Sequence, residues 1–139
     1  MTTRVNILNR IETDLNALSE LQEVILLRKP TVFDLDNVKQ PAAIIYPGPE
    51  RKIKTGDRAV IGKENWDWAV FIEVWAIDTD LEVLLSVIHS ALFNDFTLGG
   101  FAVVAEREAV TMWVVDLEES QQAMLIEMSI LYRHERGIM

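Results

Sequence analysis

An imidazole is the side chain best suited to moving a proton near neutral pH, and this chain has two, His89 and His134. Neither comes with the company that catalysis needs. No Asp or Glu lies at helical spacing from His89, and His-Glu-x-x-His is absent. His134 belongs to the charged run Arg133-His134-Glu135-Arg136, which reads as solvated or as an intersubunit patch. Asp78 and Asp80 could pair on a cation, but acids at a helix start also complement the helix dipole, and that explains them without a metal. Gly99-Gly100 is a turn signal with no Gly-Lys-Ser/Thr or GxGxxG around it, so it is not a phosphate loop. None of the serines Ser19, Ser86, Ser90, Ser120 and Ser129 stands in a Gly-x-Ser-x-Gly elbow. There is no cysteine, which excludes disulfides, thiolate metal sites and cysteine nucleophiles. The expectation is a protein that is not an enzyme, with no catalytic residues, no metal and no cofactor.

The residues with physical leverage are instead charges and tryptophans. The net charge is −9, unevenly spread. From Glu64 to Glu127 thirteen acids meet a single base, Arg107, for a net −12. Between Gly48 and Asn65, by contrast, Arg51, Lys52, Lys54, Arg58 and Lys63 outnumber three acids, for a net +2. Tight phosphate binding needs bases arrayed together, so an acidic body argues against a reader of nucleic-acid sequence. An acidic body does fit cationic loops of identical copies. Trp66 and Trp68 adjoin the cationic loop, and aromatic side chains are enriched where surfaces become buried on assembly. Arg51, Lys52, Lys54, Arg58, Lys63, Trp66 and Trp68 are therefore the expected subunit-interface residues.

The elements that would position these groups follow from periodicity. Thr3 to Leu21 reads as an amphipathic helix, with Leu8, Ile11, Leu15 and Leu18 on one face and Thr2 or Thr3 as N-cap. Glu23 to Leu27 reads as a short strand before Lys29-Pro30, and Thr31 to Gln40 as loop. Ala42 to Tyr46 reads as a buried strand closed by Pro47-Gly48-Pro49, because proline cannot donate to a ladder. Gly48 to Asn65 is a long loop or flap, with Thr55-Gly56-Asp57 as a possible turn between 51–54 and 59–62. Trp66 to Ile77 reads as a strand apolar on both faces, about 40 Å long at roughly 3.3 Å per residue. Thr79 with Glu82 reads as a capping box for a helix whose apolar face is Leu81, Leu84, Leu85, Ile88 and Leu92. Phe101 to Ala105, Val110 to Leu117 and Ala123 to Tyr132 read as three further strands joined by polar connectors.

These elements make a single domain over 1–139 of α+β class, a mainly antiparallel sheet packed against two helices. No apolar run is long enough for a membrane helix, and the first residues, MTTRVNILNRIETDL, lack the apolar core of a secretory signal, so no membrane partner is expected.

The feature order resembles one family. A leading amphipathic helix, the Pro41-Ala-Ala-Ile-Ile-Tyr46 strand, a long variable loop, a tryptophan-rich strand, a helix and a closing strand ending in Tyr132-Arg133 are similar to the tail terminator proteins of long-tailed bacteriophages, the minor tail protein U type. Neighbouring head–tail joint proteins share this length and texture. The resemblance implies a structural virion protein, assembled in the host cytoplasm. It implies a self-associated ring, of six copies, that caps the tail tube, ends elongation and offers a surface for head attachment. Its implied partners are copies of itself, the tail tube protein and a head-completion or connector protein. DNA would pass through an acidic lumen that repels phosphate. Two other readings stand beside it: another tail-completion protein of the joint, and a small-molecule-binding regulatory domain of α+β type.

Overall fold

The computed structural model describes residues 3–27, 38–53 and 63–135. Within them the order is α1 (Thr3–Asn16), β1 (Glu23–Leu26), β2 (Ala42–Ile53), β3 (Lys63–Ile77), α2 (Leu81–Phe93), β4 (Val104–Asp116) and β5 (Gln121–Glu135). The fold is α+β. The strands form one sheet in the order β1-β2-β3-β5-β4. Only β1 and β2 run parallel, and every other pair is antiparallel.

The sheet is built around β3, whose register fixes which side chains share a face. Side chains alternate along a strand, so Trp68, Val70, Ile72, Val74 and Ala76 point one way, and all are fully buried. Their partners on β5, Ile130, Met128, Ile126 and Met124, are buried on the same face. Both helices cover this face alone. α1 contributes Ile7, Leu8, Ile11 and Leu15, and α2 contributes Leu81, Leu84, Leu85, Ile88 and Leu92, all to one apolar cluster with the β3 and β5 residues.

The opposite face has no helix over it among the described residues, which corrects the expectation of a strand buried on both sides. Asp67, Ala69, Phe71, Glu73 and Trp75 there are only half-buried. What shields them is their own neighbours. Tyr46 lies against Phe71 with ring centroids 5.4 Å apart, and Trp75 against Trp113 edge-on at 6.4 Å. Glu73 is held between the Trp75 indole N–H, which donates to it at 2.7 Å, and the Tyr46 hydroxyl at 3.4 Å. Two donors satisfy part of the hydrogen-bonding capacity of this carboxylate on a half-covered sheet.

Several boundaries differ from the sequence reading. α1 ends at Asn16 rather than Leu21, although Leu18 and Leu21 still reach the core. β2 does not stop at Pro47-Gly48-Pro49 but runs on to Ile53. Its register with β3 slips between Pro47 and Glu50, and a bulge of this kind tolerates residues that cannot donate. Gly48 is needed at the slip. A Cβ there would come within 2.3 Å of Phe71 Cε2, so the ring packs directly on bare backbone. Residues 101–105 and 110–117 are not two strands. β4 is continuous, with a bulge between Arg107 and Ala109 where the polar connector was expected. The cap of α2 is Asp80, whose Oδ1 accepts from the backbone N–H groups of Glu82 and Val83 at 3.0 and 3.4 Å. Thr79 instead donates its hydroxyl back to the Ile77 carbonyl. Of the expected loop 48–65, residues 48–53 and 63–65 belong instead to β2 and β3, while 54–62, with the proposed turn 55–57, lie outside the described residues.

Candidate assembly interface

The two chemically distinctive parts of the chain are at opposite ends of the long strands. β3 begins beside β2 and the end of β5, where Lys63 pairs in register with Glu135, and finishes beside the β4–β5 turn, where Ile77 pairs with Gln121. The basic residues lie at the first end. Arg51 is opposite Asp67 and Lys52 opposite Trp66. From Asp67 to Ile77 the strand rises about 33 Å at roughly 3.3 Å per residue. That is three to four times the roughly 8–10 Å over which exposed charges feel each other at physiological salt.

The basic end is organised by a polar network on the core face. Register places Glu50 next to Trp68, and Tyr132 donates its hydroxyl to Glu50 Oε2 at 2.5 Å. Arg4, on α1, adds an ion pair to the same carboxylate oxygen at 3.4 Å and lays its guanidinium over the Trp68 ring at 4.5 Å. Trp68 meets the Tyr132 ring edge-on at 6.1 Å. Burial is the largest influence on Tyr132, and the adjoining Glu50 carboxylate adds to it, so the phenol holds its proton far above the usual tyrosine range. Arg4 opposes that shift only in part. On the other face the Ser129 hydroxyl donates to Asp67 Oδ1 at 2.8 Å. A cleft of about 220 Å³ opens there between Arg51, Asp67, Glu108 and Glu127.

The expected interface residues therefore divide. Arg51 projects into solvent with 82% of its side chain exposed and pairs loosely with Asp67 at 3.5 Å. An exposed pair of that kind contributes about 0–1 kcal/mol, so a carboxylate of another molecule can compete for it. Lys52 is exposed. Trp66 is half-buried against the core. Lys63 opens β3, and Lys54 and Arg58 lie outside the described residues. Trp68 has no exposed surface at all, so it packs the subunit's own core and is unavailable as an anchor for a neighbour. Its parity with Val70, Ile72 and Val74 was the signal for this.

The opposite end was missed as a site because its residues are scattered in sequence. Asp78, Asp80, Glu82, Asp116, Glu118 and Glu119 are all exposed there, and the Asp78 N–H bonded to the Ser120 carbonyl at 3.0 Å ties the two turns together. Exposed apolar side chains are set among these acids: Ile77, Val83, Trp113, Val114, Val115 and Leu117 at 39–84% exposure. A groove of about 280 Å³ runs between the first turn of α2 and β4, lined by Asp80, Glu82, Met112, Trp113, Val114 and Gln122. His89 is elsewhere on α2, stacked against Phe93 at 4.8 Å. No cluster of three or more metal-ligating side chains occurs among the described residues, and no helix among them is long and apolar enough to cross a membrane.

No protein-family model matches the chain, and no curated protein does. Among solved structures the chain is similar to the sheath/tube terminator of an extracellular contractile injection system, PVC, in its extended state. The two share 14% identity with a TM-score of 0.45, over 99% of this chain and 60% of that one. The chain thus spans about three fifths of the length of that terminator.

Proposed function

We propose that this protein is a structural component that caps a tail tube as a ring of identical copies, ending tube elongation and presenting a surface to the head. The observation that carries the reading is the separation of unlike ends along β3, with Arg51 and Lys52 at one end and the acid-rimmed apolar tip at the other. Charges that far apart in one subunit do not neutralise each other through solvent. Two different, complementary surfaces on one subunit give head-to-tail contacts, and such contacts close into rings when the rotation permits. The order of features along the chain, which resembles the tail terminators of long-tailed phages, supplies the biological setting. It also supplies the remaining partners, a tail tube protein and a head-completion protein, and a ring of six. The alternative of a small-molecule domain draws no support from the two clefts described above, each smaller than the roughly 300–1,000 Å³ of an ordinary ligand pocket.

A tube-capping assay tests the reading. Added to polymerising tail tubes from the same particle, the protein stops growth and is found by electron microscopy at one tube end only. Tubes that lengthen unchanged in its presence, with no density added at either end, overturn it.

A further inference from the structure

We propose that the groove between α2 and the edge strand β4 is the acceptor surface for the basic end of a second copy of this chain. The inference rests on the ring reading above and names the surface that the ring would use. Three observations point to this place and this occupant.

The first is exposed apolar area where a monomer gains nothing from it. Val83 is 60% exposed, Val114 56% and Leu117 84%, and they share one end of the molecule with Trp113. Large apolar side chains left exposed among acids suit a contact surface better than an isolated subunit. The second is the open edge. Among the described residues β4 pairs only with β5, so beyond Ala105, whose N–H is taken by the Phe96 carbonyl at 2.7 Å, its outer side is a template for another extended chain.

The third is charge and hydrogen-bonding chemistry. Six exposed acids and no base lie in residues 78–82 and 116–119. Gln122 lines the groove, and its Oε1 is a buried acceptor with no donor among the described residues. The groove therefore calls for a partner that brings positive charge and N–H donors on an extended backbone. In this chain that description fits Arg51-Lys52 on β2, which follows a bulge and carries bases on both faces of the strand. A subunit cannot deliver its own Arg51 to its own groove, because the two lie at opposite ends of the sheet. A second copy can.

A charge swap tests the assignment. Glu118→Lys with Glu119→Lys changes exposed turn residues, and Arg51→Glu with Lys52→Glu changes exposed strand residues at the loss of the weak pair with Asp67, so each pair retains the wild-type circular dichroism. Each double variant alone self-associates about tenfold or more weakly than wild type in low salt, read by sedimentation. An equimolar mixture of the two recovers association, because each variant then offers the end the other lacks. Tip variants that associate as well as wild type overturn the assignment of this surface while leaving the ring intact. Rings that form and respond to the swap, yet fail to cap tubes, uphold this surface and overturn the capping function. A wild-type chain that stays monomeric overturns both.

Discussion

Trp68→Ala destabilises the folded subunit by about 3–5 kcal/mol, the range for removing a fully buried large aromatic side chain. Trp68 has no exposed surface and is enclosed by the Tyr132 ring on one side and the Arg4 guanidinium on another. Its removal leaves a cavity and uncovers the Glu50 carboxylate that Arg4 and Tyr132 share. The indole nitrogen has no hydrogen-bond partner among the described residues, so Trp68→Phe forfeits volume but no hydrogen bond and costs less. Urea unfolding in high salt, where copies are apart, reads both values. A core residue shows the same loss at every protein concentration. A loss under about 1 kcal/mol that grows with concentration contradicts core placement and returns Trp68 to an interface.

The folded protein resists deprotonation of both its tyrosines. The chain has two, and both have their pKa raised above the usual value near 10. For Tyr46 the causes are burial first, then the charge of Glu73 and the hydrogen bond to it. For Tyr132 they are burial first, then the hydrogen bond to Glu50 and its charge. The direction for stability follows from linkage. A group that binds its proton more tightly when folded contributes fully below its unfolded pKa, about 10 for tyrosine, and that contribution is lost as pH rises from there toward the folded pKa. Each such group takes away at most about 1.4 kcal/mol per pH unit, reduced where solvent or Arg4 favours the phenolate. Ultraviolet titration of the folded protein therefore shows tyrosinate forming above the usual pH of about 10, Tyr132 later than Tyr46, while the circular dichroism stays native. Tyr132→Phe lessens the alkaline loss of stability, and Glu50→Gln allows one tyrosine to titrate earlier. A full tyrosinate step near pH 10 in the folded protein contradicts the network at the basic end.

The same network explains what was and was not legible in the chain. Helical spacing located the buried faces of both helices, because a 3.6-residue period survives wherever one face meets a core. Parity along Trp66 to Ile77 named the core face of β3. The second face misled, because Phe71 and Trp75 are apolar yet only half-covered, shielded by Tyr46 and Trp113 from adjacent strands. Burial by cross-strand neighbours leaves no mark in a single strand's pattern. The prolines at 47 and 49 ended the expected strand, whereas a register slip let β2 continue. Glu106 to Ala109 read as a connector because an edge strand is wet on both faces and loses its alternation.

The charge split was visible as a count, but its geometry was not. A tally of acids between Glu64 and Glu127 cannot show that those of 78–82 and 116–119 gather at one tip, since Asp78 and Ser120 are brought together only by the β3–β5 register. Nor could it show that Arg51 already has Asp67 beside it. Asp67, together with Glu108 and Glu127 in the same cleft, tempers the basic end, although the ion pair itself is exposed and weak.

Unlike ends of one subunit are expected to draw copies into a closed assembly, and sedimentation of the wild-type protein across a salt series tests this most directly. A single oligomer forms in low salt, with a mass that is a whole-number multiple of the subunit and does not grow further with concentration, and it dissociates as salt rises. A monomer at every concentration in low salt, or an oligomer indifferent to salt, would contradict it.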